Sequence, residues 1–531
     1  MTTTADIVVA GAGHNSLICA AYLAKAGYEV VVVEARAVPG GGVVTEELLL
    51  PGFQIDTCAT GHTQIHSNPL YANDELGLFA EQGLQYIQPD PVGHVTFPDG
   101  ECLTMWLDPE RTVEEFARFS AHDASAYRRL LAEYDEVRTA FSRSTFTPPG
   151  LGPSLDSMLR ELPHGNIWLR RKALSAWDVI RHEFDDPHVQ AFVMWEALHT
   201  MTSLDLPGSG QLPYSSLYGR QRRSWTMPRT GSGALTDALV RVIEQHGGTI
   251  LCGRTVAELL VEGDRCVGVA TADGEQFRAR TAVLSTIHVK HLIEMAPSDV
   301  WDEAFRYGVE TFDVGIPAFV IHLAMTQAPT FGADAHQAVA AGLAGWPQDV
   351  ISALRDIRDG KSMDATPWVL VATPTLADPG RAPDGHHTVK VIVPQSQTPP
   401  WDAESWDAVK EAFADEVLVR IAAATPTMDA GNVLARLVRS PVDIEAANPH
   451  MIGGTFHGGD RGIPFRGDLR PAPGWGQYRT PLRGLYQTGG TTHPGGSVTG
   501  APGRNAAIVM LQDFGMSLAD VVAGQTVAGG R

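Results

Sequence analysis

Ile7, Val8 and Val9 form an apolar run of strand length that stops at Gly11-Ala12-Gly13. Beyond it Leu17, Ile18, Ala20, Ala21, Leu23 and Ala24 return at the spacing of one helix face, Gly27 follows, and Val30–Val33 is a second unbroken apolar run. An interval of helical period between two buried runs, with glycines at the first turn and after the helix, predicts a strand-turn-helix-strand unit. Later patterns are shorter. Residues 52–56 alternate like a strand, Thr112 and Glu115 have the spacing of a capping box that would start a helix, and Tyr127, Leu130, Leu131, Tyr134, Val137 and Phe141 make one helical stripe. Residues 166–184 read as a single helix, with Ile167, Leu174, Trp177 and Ile180 on one side and Arg170, Arg171, Lys172 and Arg181 elsewhere. A helix over 235–246, a strand at Thr249–Leu251, antiparallel ribbons over 256–279 with turns at Gly263-Asp264 and Asp273-Gly274, and a strand over 282–286 come next. Strands are predicted at 312–325, 368–373 and 389–393. A helical face follows through Trp406, Val409, Phe413, Val417 and Ile421, and a last strand enters the glycine turn at Gly489-Gly490 ahead of a helix over 506–513. The fold class is α/β.

The first unit carries chemistry. Gly11 and Gly13 let a pyrophosphate approach the amides of His14, Asn15 and Ser16, where unpaired N–H groups and the helix dipole favour negative charge. Glu34 ends the second strand, roughly 20 residues on, where its carboxylate suits a ribose diol. Ser16 stands in place of the usual third glycine and is small enough for close packing. A purely structural glycine turn is the alternative; strand before, helix after and acid at the right distance favour dinucleotide binding.

Glu34-Ala35-Arg36 is followed by Pro39-Gly40-Gly41, an arginine and second glycine pair that NAD domains normally lack. With GAGHNSLICAAYLAKAG, ExRxxPGG and TEELLLPGFQID, the chain resembles the bacterial phytoene desaturase family, especially its carotene ketolase-like branch, among flavoproteins of the amine oxidase type. The C-terminal stretch LYQTGGTTHPGGSVTGAPGRN resembles the closing motif of that family. The resemblance implies FAD on a Rossmann-like domain, Val256 meeting the adenine through its backbone, and residues 52–66 passing near the flavin. Gly489, Gly490, Gly496, Ser497 and Val498 would bring a second helix N-terminus to the pyrimidine side of the flavin, favouring its anionic reduced form. It further implies a discontinuous FAD domain over 1–70, 225–290 and 455–531, with a mixed-sheet-plus-helices substrate domain over 71–224 and 291–454.

Bulk properties narrow the partners. At 531 residues two domains are expected, and a composition 44% apolar and 19% charged, without an apolar run of membrane-spanning length, is that of a globular protein. The formal net charge of −21 repels phosphate backbones, which excludes a nucleic-acid partner, and disfavours broad adhesion to anionic lipid. The N-terminus has no secretory pattern, and the five scattered cysteines read as reduced, structural thiols, so a cytoplasmic location is expected. The basic segment 166–184 admits peripheral membrane contact, although packing on the core is the simpler reading. Gly231 and Gly233 follow no strand and are not a second dinucleotide site, and the His386-His387 turn is not read as a metal site. Homo-oligomer formation stays open.

The expected chemistry is hydride transfer to FAD from a carbon of a lipophilic, isoprenoid- or carotenoid-like substrate, by desaturation, oxidation or flavin-assisted isomerisation. Without a nicotinamide domain, electrons would leave to O2 or a quinone. His62, His66 and His493 are the candidates for steering a proton or orienting substrate, against a structural role beside the cofactor. A flavin amine or alcohol oxidase acting on a small polar substrate and a non-catalytic FAD-binding module are the alternatives.

Overall fold

The computed structural model describes residues 2–332, 335–364 and 367–527. Strand β1 (Thr2–Ala10), helix α1 (His14–Lys25) and strand β2 (Val30–Val33) make the first unit. β1 runs parallel to both β2 and the strand Gln276–Ser285, β2 is parallel to Thr249–Leu251, and Leu485–Gln487 adds in parallel to Gln276–Ser285. The strands Val256–Glu262 and Arg265–Thr271 extend this seven-stranded sheet as antiparallel ribbons. Alternation sorts the side chains: Ile7, Val9, Val30 and Val32 join one apolar cluster with α1, while Val8, Ala10, Val31 and Val33 join another with Trp301, Phe305 and Phe312. Both faces are covered, as uninterrupted apolar strands require.

Helices α2 (Gly233–Gln245) and α3 (Ala501–Asp513) pack against α1 on that first face. The contact with α3 is close because a Cβ at Gly503 would lie 2.2 Å from the Asn15 carbonyl oxygen.

A second seven-stranded sheet runs in the order Val433–Arg439, Ala318–Met325, His387–Pro394, Trp368–Ala372, Ala340–Ala344, Gly93–Thr96 and Cys102–Met105. Its back face buries Val369, Val371, Val389, Val391 and Val393 against Phe413, Val417 and Ile421 of the helix Trp406–Ala424. Residues of opposite parity, Trp368, Leu370 and Ile392, face a cluster that includes the helices Ala121–Thr145 and Pro187–Leu198. Among the described residues no helix is long and apolar enough to cross a membrane.

Several elements differ from their predicted bounds. Residues 166–184 form two helices, Gly165–Ala173 and Ala176–Glu183, because Ser175 caps the second through the amide of Asp178. The helix near Thr112 begins at Pro109 with Asp108 as its cap, and Thr112 instead accepts the Trp106 N–H. The strand expected over 312–325 starts at Ala318, and 282–286 is the end of the longer strand Gln276–Ser285. α2 and α3 start earlier than apolar spacing indicates, at Gly233 and Ala501. All five cysteines are free thiols.

Candidate active site

Both glycine-rich motifs converge on Thr286, which follows the strand Gln276–Ser285. Gly11 has φ 92°, and a Cβ there would lie 2.6 Å from Thr286 Cγ2; one at Gly489 would lie 2.5 Å from Thr286 Oγ1. Glycine at both places lets two loops meet around one small side chain. Gly13 then opens α1 with no side chain over its first amides, whereas at the start of α3 Thr499 Oγ1 accepts the Ala501 N–H at 3.2 Å, Pro502 has no N–H, and Asn15 Oδ1 accepts the Gly503 N–H at 3.4 Å. The N-terminus of α1 thus keeps free N–H groups suited to an anion, and the start of α3 packs beside it with its own N–H groups already engaged.

Polar side chains lock the turn from behind. Ser16 Oγ lies 2.7 Å from the Gly11 carbonyl oxygen and 2.8 Å from that of Gly13, so the hydroxyl in the third glycine's place ties the loop to its helix. Glu34 accepts the Ala12 N–H at 2.6 Å and the Arg36 N–H at 2.8 Å. Arg36 in turn donates to the Gly41 carbonyl at 3.0 Å, and Gly40 donates its N–H to Ala12 at 2.7 Å.

One cavity of about 1790 Å³ opens from these loops. Every residue predicted to hold the cofactor lines it except Ser16 and Gly40, whose atoms act in the turn itself. Glu34, Arg36 and Val256 stand beside Gly11, Gly13, His14 and Asn15, and the wall continues through Gly41 to Gly489, Gly490, Gly496, Ser497 and Val498. An acid at the end of β2, open helix amides and a glycine wall fit an adenosine, a pyrophosphate and a flat ring system in that order. Chemically the residues present fit FAD.

The predicted histidines divide. His62 is 1% exposed and outside the cavity wall; its Nε2 lies 2.6 Å from Ser232 Oγ and its Nδ1 3.0 Å from Tyr86 OH, and burial pulls its pKa down to about 3. With both nitrogens engaged, it holds the start of α2 in place. His66 lines the cavity, edge-on to Tyr86 and Tyr71, and its Nε2 is buried without a hydrogen-bond partner. His493 also lines the cavity, but its Nε2 meets the Ser144 carbonyl oxygen at 3.0 Å and burial lowers its pKa to about 4. Gly231 and Gly233 bind no phosphate because Asp56 accepts the Ser232 N–H at 2.8 Å and Thr45 the Gly233 N–H at 2.9 Å, filling the N-terminus of α2.

The other half of the cavity holds residues that motif reading missed. Lys390 shares the cavity-facing parity of Ile392 on the strand His387–Pro394, and a lone lysine among valines was its only sequence signal. Its Nζ donates to Thr60 Oγ1 at 2.5 Å and to the Cys58 carbonyl at 2.6 Å, pinning the loop after Asp56, and burial lowers its pKa to about 8. Asp56 itself forms an ion pair of 2.8 Å with Arg381, both side chains 1% exposed. Glu196, from the helix Pro187–Leu198, pairs with Arg220 at 3.3 Å and has His199 at 3.7 Å. Burial raises Glu196 to about 7 against the pull of Arg220. Around these polar groups Phe141, Phe146, Leu155, Trp225, Met451 and Phe456 supply apolar wall, together with the proline-rich segment 147–153.

Residues 17–507 match the flavin containing amine oxidoreductase family. The chain is 28% identical over 533 residues to a component of the limonene dehydrogenase of Castellaniella defragrans, covering 97% of this chain and 95% of that one. It is 23% identical over 516 residues to the lycopene-forming phytoene desaturase of a Paracoccus species, covering 96% and 97%. The crystal structure of an oxidoreductase from Methanosarcina mazei superposes with a TM-score of 0.60 at 18% identity, covering 96% of this chain and all of that one. The chain therefore belongs to the flavin containing amine oxidoreductase family and is an FAD-dependent oxidoreductase of the type that includes desaturases.

Proposed function

We propose that this flavoenzyme removes hydride from a carbon of a lipophilic substrate of isoprenoid or terpenoid character, yielding a desaturated, oxidised or isomerised product, with O2 or a quinone taking electrons in the net oxidations. The size of this cavity carries this reading. At about 1790 Å³ it exceeds the roughly 300–1,000 Å³ that one ligand needs, so it has room for a second molecule beside the cofactor. Bound FAD supplies the hydride acceptor. The chain's own work is to orient the substrate, exclude water and hold the cofactor's surroundings in one charge state.

The far wall supports an apolar substrate through Phe141, Phe146, Leu155, Trp225, Met451 and Phe456. It argues against a small amine through Arg223, Arg461 and Arg466, which line the space without an ion pair among the described residues, whereas Arg138, Lys172, Arg220 and Arg222 are paired with acids of the same wall. His66, with a free buried nitrogen, is the histidine best placed to meet a substrate proton. The enzyme works in the cytoplasm under this reading. It collects substrate from a membrane surface through Ile167 and Leu174, which are 50% and 37% exposed near the cavity-lining Lys172.

Anaerobic mixing tests the proposal. Limonene or a linear polyene should bleach the flavin absorbance while putrescine does not, and product analysis separates isomerisation, which leaves no reduced flavin. Bleaching by the amine alone would overturn it.

A further inference from the structure

Residues 457–470 place three arginines beside the cavity with little to balance them. Arg470 is largely satisfied internally: its two terminal nitrogens donate to the carbonyl oxygens of Asp460, Phe465, Gly458 and Gly490, and its Nε alone lacks an acceptor. Arg461 and Arg466 are not. Arg461 Nη2 donates to the Gly496 carbonyl, yet its Nε is shut off from solvent with no acceptor. Arg466 Nε donates to the Arg461 carbonyl, and its Nη1 reaches Gln211 Oε1 only at 3.5 Å. Both line the cavity, and neither forms an ion pair among the described residues.

The acid whose field reaches all three is Asp460, and it is a weak counterweight. Its Oδ1 already accepts the Gly462 N–H at 2.6 Å, and burial holds its pKa above the usual carboxylate range. Burial correspondingly lowers Arg461 and Arg466 to about 10. Gln211 precedes the helix Leu212–Arg223, whose first turn has no side-chain cap and adds a further positive end. Buried cations with free donors and no partner are costly to keep unless an anion joins them. The pyrophosphate of the cofactor has its own place at α1, so these donors serve something else.

We propose that Arg461 and Arg466 form an anion-binding subsite that holds the carboxylate or phosphate head of an amphipathic substrate, whose apolar chain occupies the rest of the cavity. Paired guanidiniums suit either head, since both accept several parallel N–H bonds. This rests on reading the far half of the cavity as a lipophilic substrate site.

Titration of the FAD-loaded enzyme with dodecanoate, dodecyl phosphate and dodecanol, followed by perturbation of the flavin spectrum, tests the subsite without turnover. At least one anion should bind about tenfold or more tightly than the alcohol. The better anion identifies the head group. Arg461→Gln and Arg466→Gln should abolish that preference and leave dodecanol unchanged, while Arg461→Lys retains part of it. Equal binding of all three probes, no binding of any, or an equal loss for all three in the variants would overturn the subsite. So would variants that shift the flavin midpoint potential and keep the preference, which would assign Arg461 to the reduced cofactor. If a glutamine variant loses FAD, the three-probe comparison on the wild-type enzyme decides. Flavin bleaching by lipophilic substrates is a separate readout, so the anion site and the oxidoreductase reading fail independently.

Discussion

The two halves of the cavity are made of different materials. At the cofactor end the chemistry lies mainly in the backbone, as glycines that let loops meet at Thr286 and as open amides at the start of α1. At the far end it lies in long side chains, among them Glu196, Arg220, Lys390, Arg461 and Arg466, drawn from elements far apart in the chain and buried among aromatic residues. Backbone sites need little desolvation of formal charge, whereas side-chain sites bury ions that must be paired. The halves should therefore respond differently to substitution.

The largest effect is expected where the two halves are riveted together, at Asp56 and Arg381. Arg381→Met leaves the Asp56 carboxylate buried with Lys390 as the remaining cation and with the Ser232 N–H and Thr45 hydroxyl as its donors, and should cost about 3–5 kcal/mol of unfolding free energy. Urea denaturation at neutral pH measures it. Burial pushes the Asp56 pKa up, but Arg381 and Lys390 outweigh burial and hold it below 3.8. Its contribution is thus present above that pH and is lost as pH falls through the folded value, so the gap between wild type and variant should narrow in acid. A loss as large at pH 3 as at pH 7 would show that packing, not charge, joins the halves.

Glu196 gives the next effect, with the opposite sign. Its folded pKa of about 7 lies above the reference 4.5, so the protonated form suits the fold. The stability of the wild type relative to Glu196→Gln should fall by at most about 3 kcal/mol as pH rises from 4.5 through 7, the buried histidines contributing the same pH slope to both. A variant with the same pH slope as wild type would remove Glu196 as its source.

This contrast also explains what could be read from the chain. The β1-α1-β2 unit and the closing motif were legible because each needs only residues adjacent in sequence: glycine spacing, a helix stripe and an acid at the end of a strand. The start of α3 was less legible, since Ala501, Pro502 and Gly503 carry no apolar stripe and are helical because they pack on α1. The pairing of Glu196 with Arg220, or of Lys390 with the loop after Asp56, depends on sheet and helix placement across wide separations. His62 was selected for its neighbours in sequence, yet folding turns it to Ser232 and Tyr86.

At the backbone end a single methyl group should act on the cofactor rather than on the fold. Gly11→Ala imposes φ 92° on a residue with a Cβ and sets that atom 2.6 Å from Thr286 Cγ2, for about 1–3 kcal/mol of strain. FAD affinity should fall roughly 10–100-fold, measured by reconstitution of the deflavinated protein, while the urea midpoint falls by no more than this strain accounts for. A large midpoint shift with FAD affinity intact would reverse the assignment of this loop.

The smallest effect tests whether the backbone end is as free of side-chain chemistry as the contrast implies. Ser16→Gly restores the glycine usual at that place in the turn, and if only the small size of the residue mattered, FAD would bind as well or better. The hydroxyl lies 2.7 and 2.8 Å from two carbonyl oxygens of the turn it borders, so its removal should cost about 0.5–1.5 kcal/mol, with added backbone freedom in the same direction. A decrease of roughly 2- to 10-fold in FAD affinity is expected, with Ser16→Ala showing most of it. If Ser16→Ala binds FAD normally and Ser16→Gly does not, backbone freedom alone accounts for the loss. The turn between β1 and α1 would then owe nothing to the Ser16 hydroxyl.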